Sequence, residues 1–301
     1  MTEARPELSV IITSYNARET VARCIESMRR QRTTRHFEII LVDSSSDDTA
    51  KVVRDHYPEV HLITSPFRLY CGDARNIGLA TARADLIAFL DADCYVDDDW
   101  LEAILQAHRT ESLLVGGIID NVPKLGMVSW AYYFCEFSLW LPARRPRRIK
   151  EMAGCCLSFK RTAYDQYGPF IEGTYCSDTA FQWRLQKNGN DVLFDPAVRV
   201  YHDSSSRLGS FLSHVFEHRK HFARVKCQEK RLSVMRRLME IVLLPITPML
   251  LMGATLLRLR RCWRYFPYFV LSAPLLFTAY CVRCCGELTG YLSYRSSSTH
   301  S

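Results

Sequence analysis

Two kinds of apolar pattern divide the chain. Up to about residue 205, short apolar runs alternate with stretches of helical period. Residues 8–13 (LSVIIT), 37–42 (FEIILV), 60–64 and 86–90 (LIAFL) have the length and β-branched content of strands. Between them, residues 18–30, 49–57 and 73–82 read as helices. Strands follow at 115–119 (VGGII), 153–159 (AGCCLSF) and 192–201, with helices at 100–109 and 179–187. A continuous apolar run marks a strand buried on both faces, as in a parallel sheet. Strands alternating with helices at this spacing predict an α/β fold with a doubly wound, mostly parallel sheet.

Beyond residue 207 the pattern changes. Residues 208–237 read as a basic helix. Two uncharged apolar runs follow, 241–257 and 265–282, each close to the ~20 residues that cross a hydrocarbon core. Prolines 245, 248, 267 and 274 lie within them, which a membrane tolerates better than water does. Arginines border both runs at 236, 237, 258, 260, 261, 264 and 283. If both runs crossed, the arginine-rich turn would lie opposite the first domain, against the positive-inside bias; a re-entrant or interfacial hairpin avoids that conflict. The expected organisation is therefore an α/β domain over 1–207, a basic amphipathic linker over 208–237, a membrane-associated hairpin over 238–285 and a polar tail over 286–301. The alternative for the hairpin is a soluble helical core.

Polar residues gather where the predicted strands end, the side on which open α/β sheets bind ligands. The fourth strand runs into Asp91-Ala92-Asp93, a DXD motif. Two carboxylates one residue apart suit a hard divalent cation and a diphosphate; the alternative is a plain turn or helix cap. Asp97, Asp98 and Asp99 read as caps for the next helix. Tyr15 after the first strand could stack on a base and Asp43 after the second could accept from a base or ribose, although a strand-end tyrosine and a cap are equally ordinary.

The formal charge of +7 is concentrated at 144–150, 207–237 and 258–264. Basic clusters beside apolar segments favour anionic lipid over nucleic acid. Residues 125–141 (LGMVSWAYYFCEFSLWL) are aromatic and carry one charge, Glu136; they suit either an interfacial segment or a core helix. His214, His218 and His221 share a helix face, better read as part of a basic surface than as a metal site. The twelve cysteines are scattered through predicted elements, and the amino terminus lacks a signal-peptide pattern; reduced thiols in a cytosolic domain are expected. Cys281, Cys284 and Cys285 would be half a zinc site without a second pair.

Taken in order, SVIITSYNA, VDSSSDDT, DARNIGLATARADLIAFLDAD and the later GPFIEGTYCSDTAFQWRLQKNG resemble glycosyltransferase family 2, the inverting family with the GT-A fold, over about residues 7–205. The resemblance implies a hexosyltransferase whose Thr13, Tyr15 and Asp43 hold the nucleotide of a sugar donor. Asp91 would contact ribose or sugar, and Asp93 would ligate Mg2+ or Mn2+, with His202 completing the metal site or touching the diphosphate. Arg75 and Arg184 would lie on the donor side; a surface Arg75 pairing with Asp73 or Asp85 is the alternative. Asp178 would be the general base, where the family usually has two acidic residues and this chain has Ser177 first. Its alternative is a helix cap. Residues 182–184 (QWR) depart from the longer pattern of processive synthases.

The expectation is an enzyme at the inner or plasma membrane, its catalytic domain cytoplasmic, moving a sugar to a lipid-linked or amphipathic acceptor. A surface polysaccharide or protein acceptor is the alternative. A catalytically silent membrane scaffold is the rival of another class. A nucleotidyltransferase would want a glycine-rich basic loop after the first strand, which SVIITSYNARET lacks.

Overall fold

The computed structural model describes residues 5–122, 126–203 and 207–294. Leu125 of the aromatic segment and residues 295–301 of the expected tail lie outside them. In chain order the elements are β1 (Leu8–Ser14), α1 (Val21–Arg29), β2 (Phe37–Asp43), α2 (Thr49–His56), β3 (His61–Thr64), α3 (Cys71–Thr81), β4 (Leu86–Asp91), β5 (Cys94–Val96), α4 (Trp100–Ala107), β6 (Leu114–Asn121), α5 (Met127–Phe137), β7 (Arg147–Ile149), β8 (Leu157–Lys160), α6 (Arg161–Tyr167), α7 (Ser177–Gln186), β9 (Val192–His202), α8 (Leu208–Glu229), α9 (Val234–Leu243), α10 (Thr247–Leu259) and α11 (Phe266–Ser293). They form two compact units: residues 1–122 with 142–203, and residues 123–141 with 204–301.

The first unit is built on one mixed sheet ordered β3-β2-β1-β4-β8-β6-β9-β5, with β7 added on β9. Its first half is the expected parallel core: β1 pairs in parallel with β2 and β4, and β2 with β3. The apolar runs of β1, β2 and β4 are buried, as continuous hydrophobic strands must be, while edge strand β3 is only half-buried. In the second half β8 runs antiparallel to both β4 and β6, while β6 and β9 are parallel. The sequence pattern placed a strand at 153–159, but residues 154–156 form a 3-10 turn and only Leu157–Lys160 is strand. Gly78 lets α3 pack on the sheet, since a Cβ there would lie 2.5 Å from Ile11 Cγ2.

The second unit is helical. The segment expected inside the catalytic domain, α5, belongs here, and it is a core helix: Ser129 to Cys135 are buried. Trp130 stacks on Tyr268 with ring centroids 4.1 Å apart, and the Tyr280 hydroxyl donates to the Phe134 carbonyl. α8 and α11 share a small core of Ala223, Cys227 and Tyr291. The buried Arg219 pairs with Glu287 at 3.0 Å. His214 stacks on Tyr132 and His218, and His218 approaches Glu136 at 3.9 Å, so the histidine face meets aromatic and acidic groups. The basic stretch is two helices rather than one, since residues 230–233 break it, and α11 continues through the expected start of the polar tail.

The two stretches Val234–Leu259 and Trp263–Ser293 are long and apolar enough to cross a membrane. Only 17% of the most apolar window of the first is buried, and 39% of the second. α9 exposes Val234, Met235, Leu238, Met239, Val242 and Leu243, a spacing that makes one helical stripe. Its other side is tied down, with Glu240 on Lys226 at 2.9 Å and Arg237 Nη1 donating to the Tyr294 carbonyl at 2.9 Å.

Candidate active site

Strand register sets the first part of the site. Across from the end of β1, Thr13 faces Asp91 and Ser14 faces Asp43. Thr13 Oγ1 donates to Asp91 Oδ1 at 2.9 Å. Asn16, at φ 51°, turns the chain sharply after Tyr15, and its amide donates to Ser45 Oγ while Ser46 N donates to its Oδ1. These bonds tie the loop after β1 to the loop after β2. Tyr15 stays 44% exposed there. Asp43 is buried and accepts from Ser45 Oγ at 2.6 Å within its own loop, while the N-cap of α2 is Asp48.

Arg75 joins the two ends of the site. It comes from the middle of α3, is 2% exposed, and lies with its guanidinium carbon 4.9 Å from the centre of the Phe89 ring. Its Nη2 is 3.5 Å from Asp91 Oδ1 and its Nη1 is 3.8 Å from Asp178 Oδ2. Neither Asp73 nor Asp85 makes the pairing that a surface Arg75 would need: Asp73 accepts from the Tyr70 and Gly173 amides, and Asp85 pairs with Arg5. Burial works against the Arg75 charge, but Asp178, Cys71 and Asp91 outweigh it and raise its pKa. Burial, opposed by Arg75, raises the pKa of Asp91, and the charge of Asp93 adds to that.

Asp178 sits in the first turn of α7, behind Cys176 in the left-handed conformation (φ 63°). It is not the cap of that helix, whose N-cap is Cys176. Oδ2 accepts from Gly154 N at 2.7 Å, in the 3-10 turn before β8. The same helix clamps that segment further: Gln182 bonds both the amide and the carbonyl of Met152, and Trp183 Nε1 donates to Glu151. Arg184 donates to the Pro169 carbonyl at 2.8 Å, a contact that braces the preceding turn. Ser177, in place of the family's first acid, is buried against the start of α3.

The metal-binding candidates are assembled by β5 and β9. Antiparallel pairing sets Cys94 opposite His202, and Asp203 N donates to the Asp93 carbonyl. His202 Nε2 comes within 3.6 Å of Asp93 Oδ2. Among the described residues, Asp93, Cys94 and His202 form the cluster whose ligand atoms all lie within 4.8 Å of one another. Cys94 was not legible as a candidate. Burial pushes its thiol well above the ordinary range, so the donors that fit a hard cation are the half-open Asp93 carboxylate and the His202 imidazole. The fit is good for Mg2+ or Mn2+. The Asp97–Asp99 cluster does not cap as expected: Asp99 stands at the N-cap of α4 without a side-chain cap bond, its two oxygens forked by Arg32.

The sequence matches the family model for Glycosyl transferase family 2 over residues 9–168, just over half of the chain. It is similar to the putative glycosyltransferase EpsH of Bacillus subtilis, with 30% identity over 116 residues, 36% of this chain and 33% of that protein. It is also similar to polypeptide N-acetylgalactosaminyltransferase 12 of Mus musculus, with 27% identity over 232 residues, 65% of this chain and 40% of that one. The chain thus spans well under half the length of these relatives. Among solved structures, mannosyltransferase PcManGT from Pyrobaculum calidifontis, in complex with GDP-Man and Mn2+, superposes with a TM-score of 0.65 at 17% identity, covering 95% of this chain and 88% of that one. Residues 1–349 of S. aureus TarS with UDP-GlcNAc give 0.54 at 15% identity, covering 91% and 90%. At such identities the superpositions speak for the GT-A fold alone. With the family model covering the loops after β1 and β2, Arg75 and the DXD motif, the chain belongs to glycosyltransferase family 2.

Proposed function

We propose that the protein transfers a sugar from a nucleotide-diphosphate donor to an acceptor hydroxyl, with inversion. The observation that carries this reading is Arg75, held between Asp91 and Asp178. A donor-side carboxylate and a candidate base, 87 residues apart in sequence, are thereby fixed at two ends of one guanidinium. Thr13, Tyr15 and Asp43 would hold the nucleotide, and Asp91 the ribose or sugar. Asp93 and His202 would hold Mg2+ or Mn2+, which when bound offsets charge developing on the leaving diphosphate. Asp178 takes the proton of the acceptor hydroxyl as its oxygen attacks the anomeric carbon; the bond to the diphosphate breaks from the opposite face, and no covalent enzyme intermediate forms. The Gly154 amide and Arg75 orient that carboxylate for the task. Arg75, itself buried, also places fixed positive charge beside the developing negative charge. Arg184, braced on the Pro169 carbonyl, would lie on the donor side.

The GDP-Man and UDP-GlcNAc of the structural neighbours support a nucleotide-sugar donor. The apolar faces of the second unit support membrane association, with anionic lipid near the arginines and the catalytic unit on the cytoplasmic side, where nucleotide sugars are supplied. A lipid-linked or amphipathic acceptor follows from that setting. Transfer to a polysaccharide or protein is the second reading, favoured by the similarity to a polypeptide N-acetylgalactosaminyltransferase. The test is turnover of donor by wild type and Asp178→Asn. Loss of a general base slows such a step by roughly 10²–10⁴-fold, with donor affinity kept. Undiminished turnover in the variant rules out Asp178 as the base. A silent scaffold would turn over no donor in either protein.

A further inference from the structure

The loop between β3 and α3 carries Arg68, an exposed cation that none of the roles above employs. Its guanidinium carbon lies 4.6 Å from the centre of the Tyr15 ring and 5.6 Å from that of Tyr70. Its Nη2 donates to the Tyr175 hydroxyl at 3.0 Å, and the Tyr70 and Tyr175 rings meet edge to face at 5.1 Å. One side chain thus touches the aromatic residue that follows β1 and the segment that leads into Asp178. Beneath it the two sides are already stitched together. Gly173 N donates to Asp73 Oδ1 at 3.0 Å, while Asn76 exchanges two hydrogen bonds with the backbone of Phe170. The Asn76 bonds are partly buried, whereas the Gly173 and Arg68 contacts are open to solvent. Exposed cation–π pairs and surface hydrogen bonds contribute little to folding. What Arg68 does in the unliganded protein is to cover one face of an exposed tyrosine ring.

We propose that Arg68 is a positioning residue for the nucleotide. It holds the Tyr15 ring ready for a base and, through Tyr175, sets that ring in fixed relation to the segment carrying Asp178. Fixing a binding group before the ligand arrives raises affinity by removing the ordering cost from the binding step. The inference rests on the glycosyltransferase reading and deepens it, since it assigns the nucleotide side of the site a residue beyond Thr13, Tyr15 and Asp43.

The experiment is calorimetric titration of the full chain with UDP, GDP, dTDP, CDP and ADP in the presence of Mn2+, for wild type, Arg68→Gln, Tyr175→Phe and the double variant. For the nucleotide that wild type binds, each single substitution is expected to weaken affinity about threefold or more, the scale of an exposed cation–π contact. The double variant is expected to be no weaker than Arg68→Gln, because both break one connection. The melting temperatures of the unliganded variants should match wild type. Unchanged affinity in Arg68→Gln overturns the proposal. So does a loss confined to Arg68→Gln, which would mean that Arg68 touches the nucleotide itself. An affinity loss accompanied by a lowered unliganded melting temperature overturns it as well, as damage to the fold. If wild type binds none of the five, the glycosyltransferase reading falls and this inference with it.

Discussion

Arg75 is buried with two carboxylate neighbours, and the space it occupies is as closely fitted as its charge. A Cβ on Gly154 would lie 2.1 Å from Arg75 Nη2, so Gly154→Ala should push the guanidinium off Asp91 and Asp178. Overpacking of this kind costs ~1–3 kcal/mol. The variant should therefore melt several degrees lower and lose most of its turnover, and a variant with wild-type melting and turnover would contradict the role given to Arg75. Much of this was readable in advance at the level of residue type: Asp91, Asp93, Asp178 and Arg75 were all singled out from their motifs. The partners of Arg75 were not readable, because an arginine in the middle of a helix can face solvent or core, and only the packing of α3 on β1 decides which. Cys94 was missed for a related reason. Its place beside His202 comes from a three-residue strand, too short to leave a periodic signal.

At the scale of elements, β1, β2 and β4 were plain in the sequence because each is a continuous apolar run, and their register then brings Thr13, Asp91 and Asp43 together. Ends were less legible. Residues 230–233 break the basic helix without a proline or glycine, and the 3-10 turn that presents the Gly154 amide hides in a run of apolar character. The carboxyl end of α4 offers a test of packing by pH. His108 is buried there with Nε2 3.0 Å from Ser158 Oγ. Burial, helped by Lys160, lowers its pKa to about 4. The folded protein thus keeps the ring neutral while the unfolded chain takes up a proton below ~6.5. Stability from this group is full above pH 6.5 and is lost as pH falls towards 4, by up to roughly 3 kcal/mol. Urea unfolding of wild type at pH 7.5 and 4.5 should show this loss, and His108→Gln should show less of it. Equal pH dependence in the two proteins would refute the assignment.

For the molecule as a whole, the sequence announced two kinds of segment but not their interleaving. α5 looked like part of the catalytic domain because it interrupts it, yet its aromatic side chains are buried with α8 and α11. No local pattern distinguishes a core helix of one unit from a core helix of another. The exposed stripe on α9 predicts binding to vesicles. Met239→Glu with Val242→Glu should weaken flotation of the full chain with anionic vesicles by more than about tenfold, since burying each such side chain is worth ~1.5–3 kcal/mol; unchanged flotation would remove that stripe from the membrane contact. The account as a whole turns on one cleft in which separate carboxylates, Arg75 and His202 receive a nucleotide diphosphate with a divalent cation. Its most direct test is the thermal shift of wild type and Asp93→Ala with the same five nucleoside diphosphates, with Mn2+ or with EDTA. The expected result is stabilisation by one nucleotide that depends on Mn2+ and is lost in Asp93→Ala. Stabilisation by none of them, or equal stabilisation with EDTA and in the variant, would contradict it.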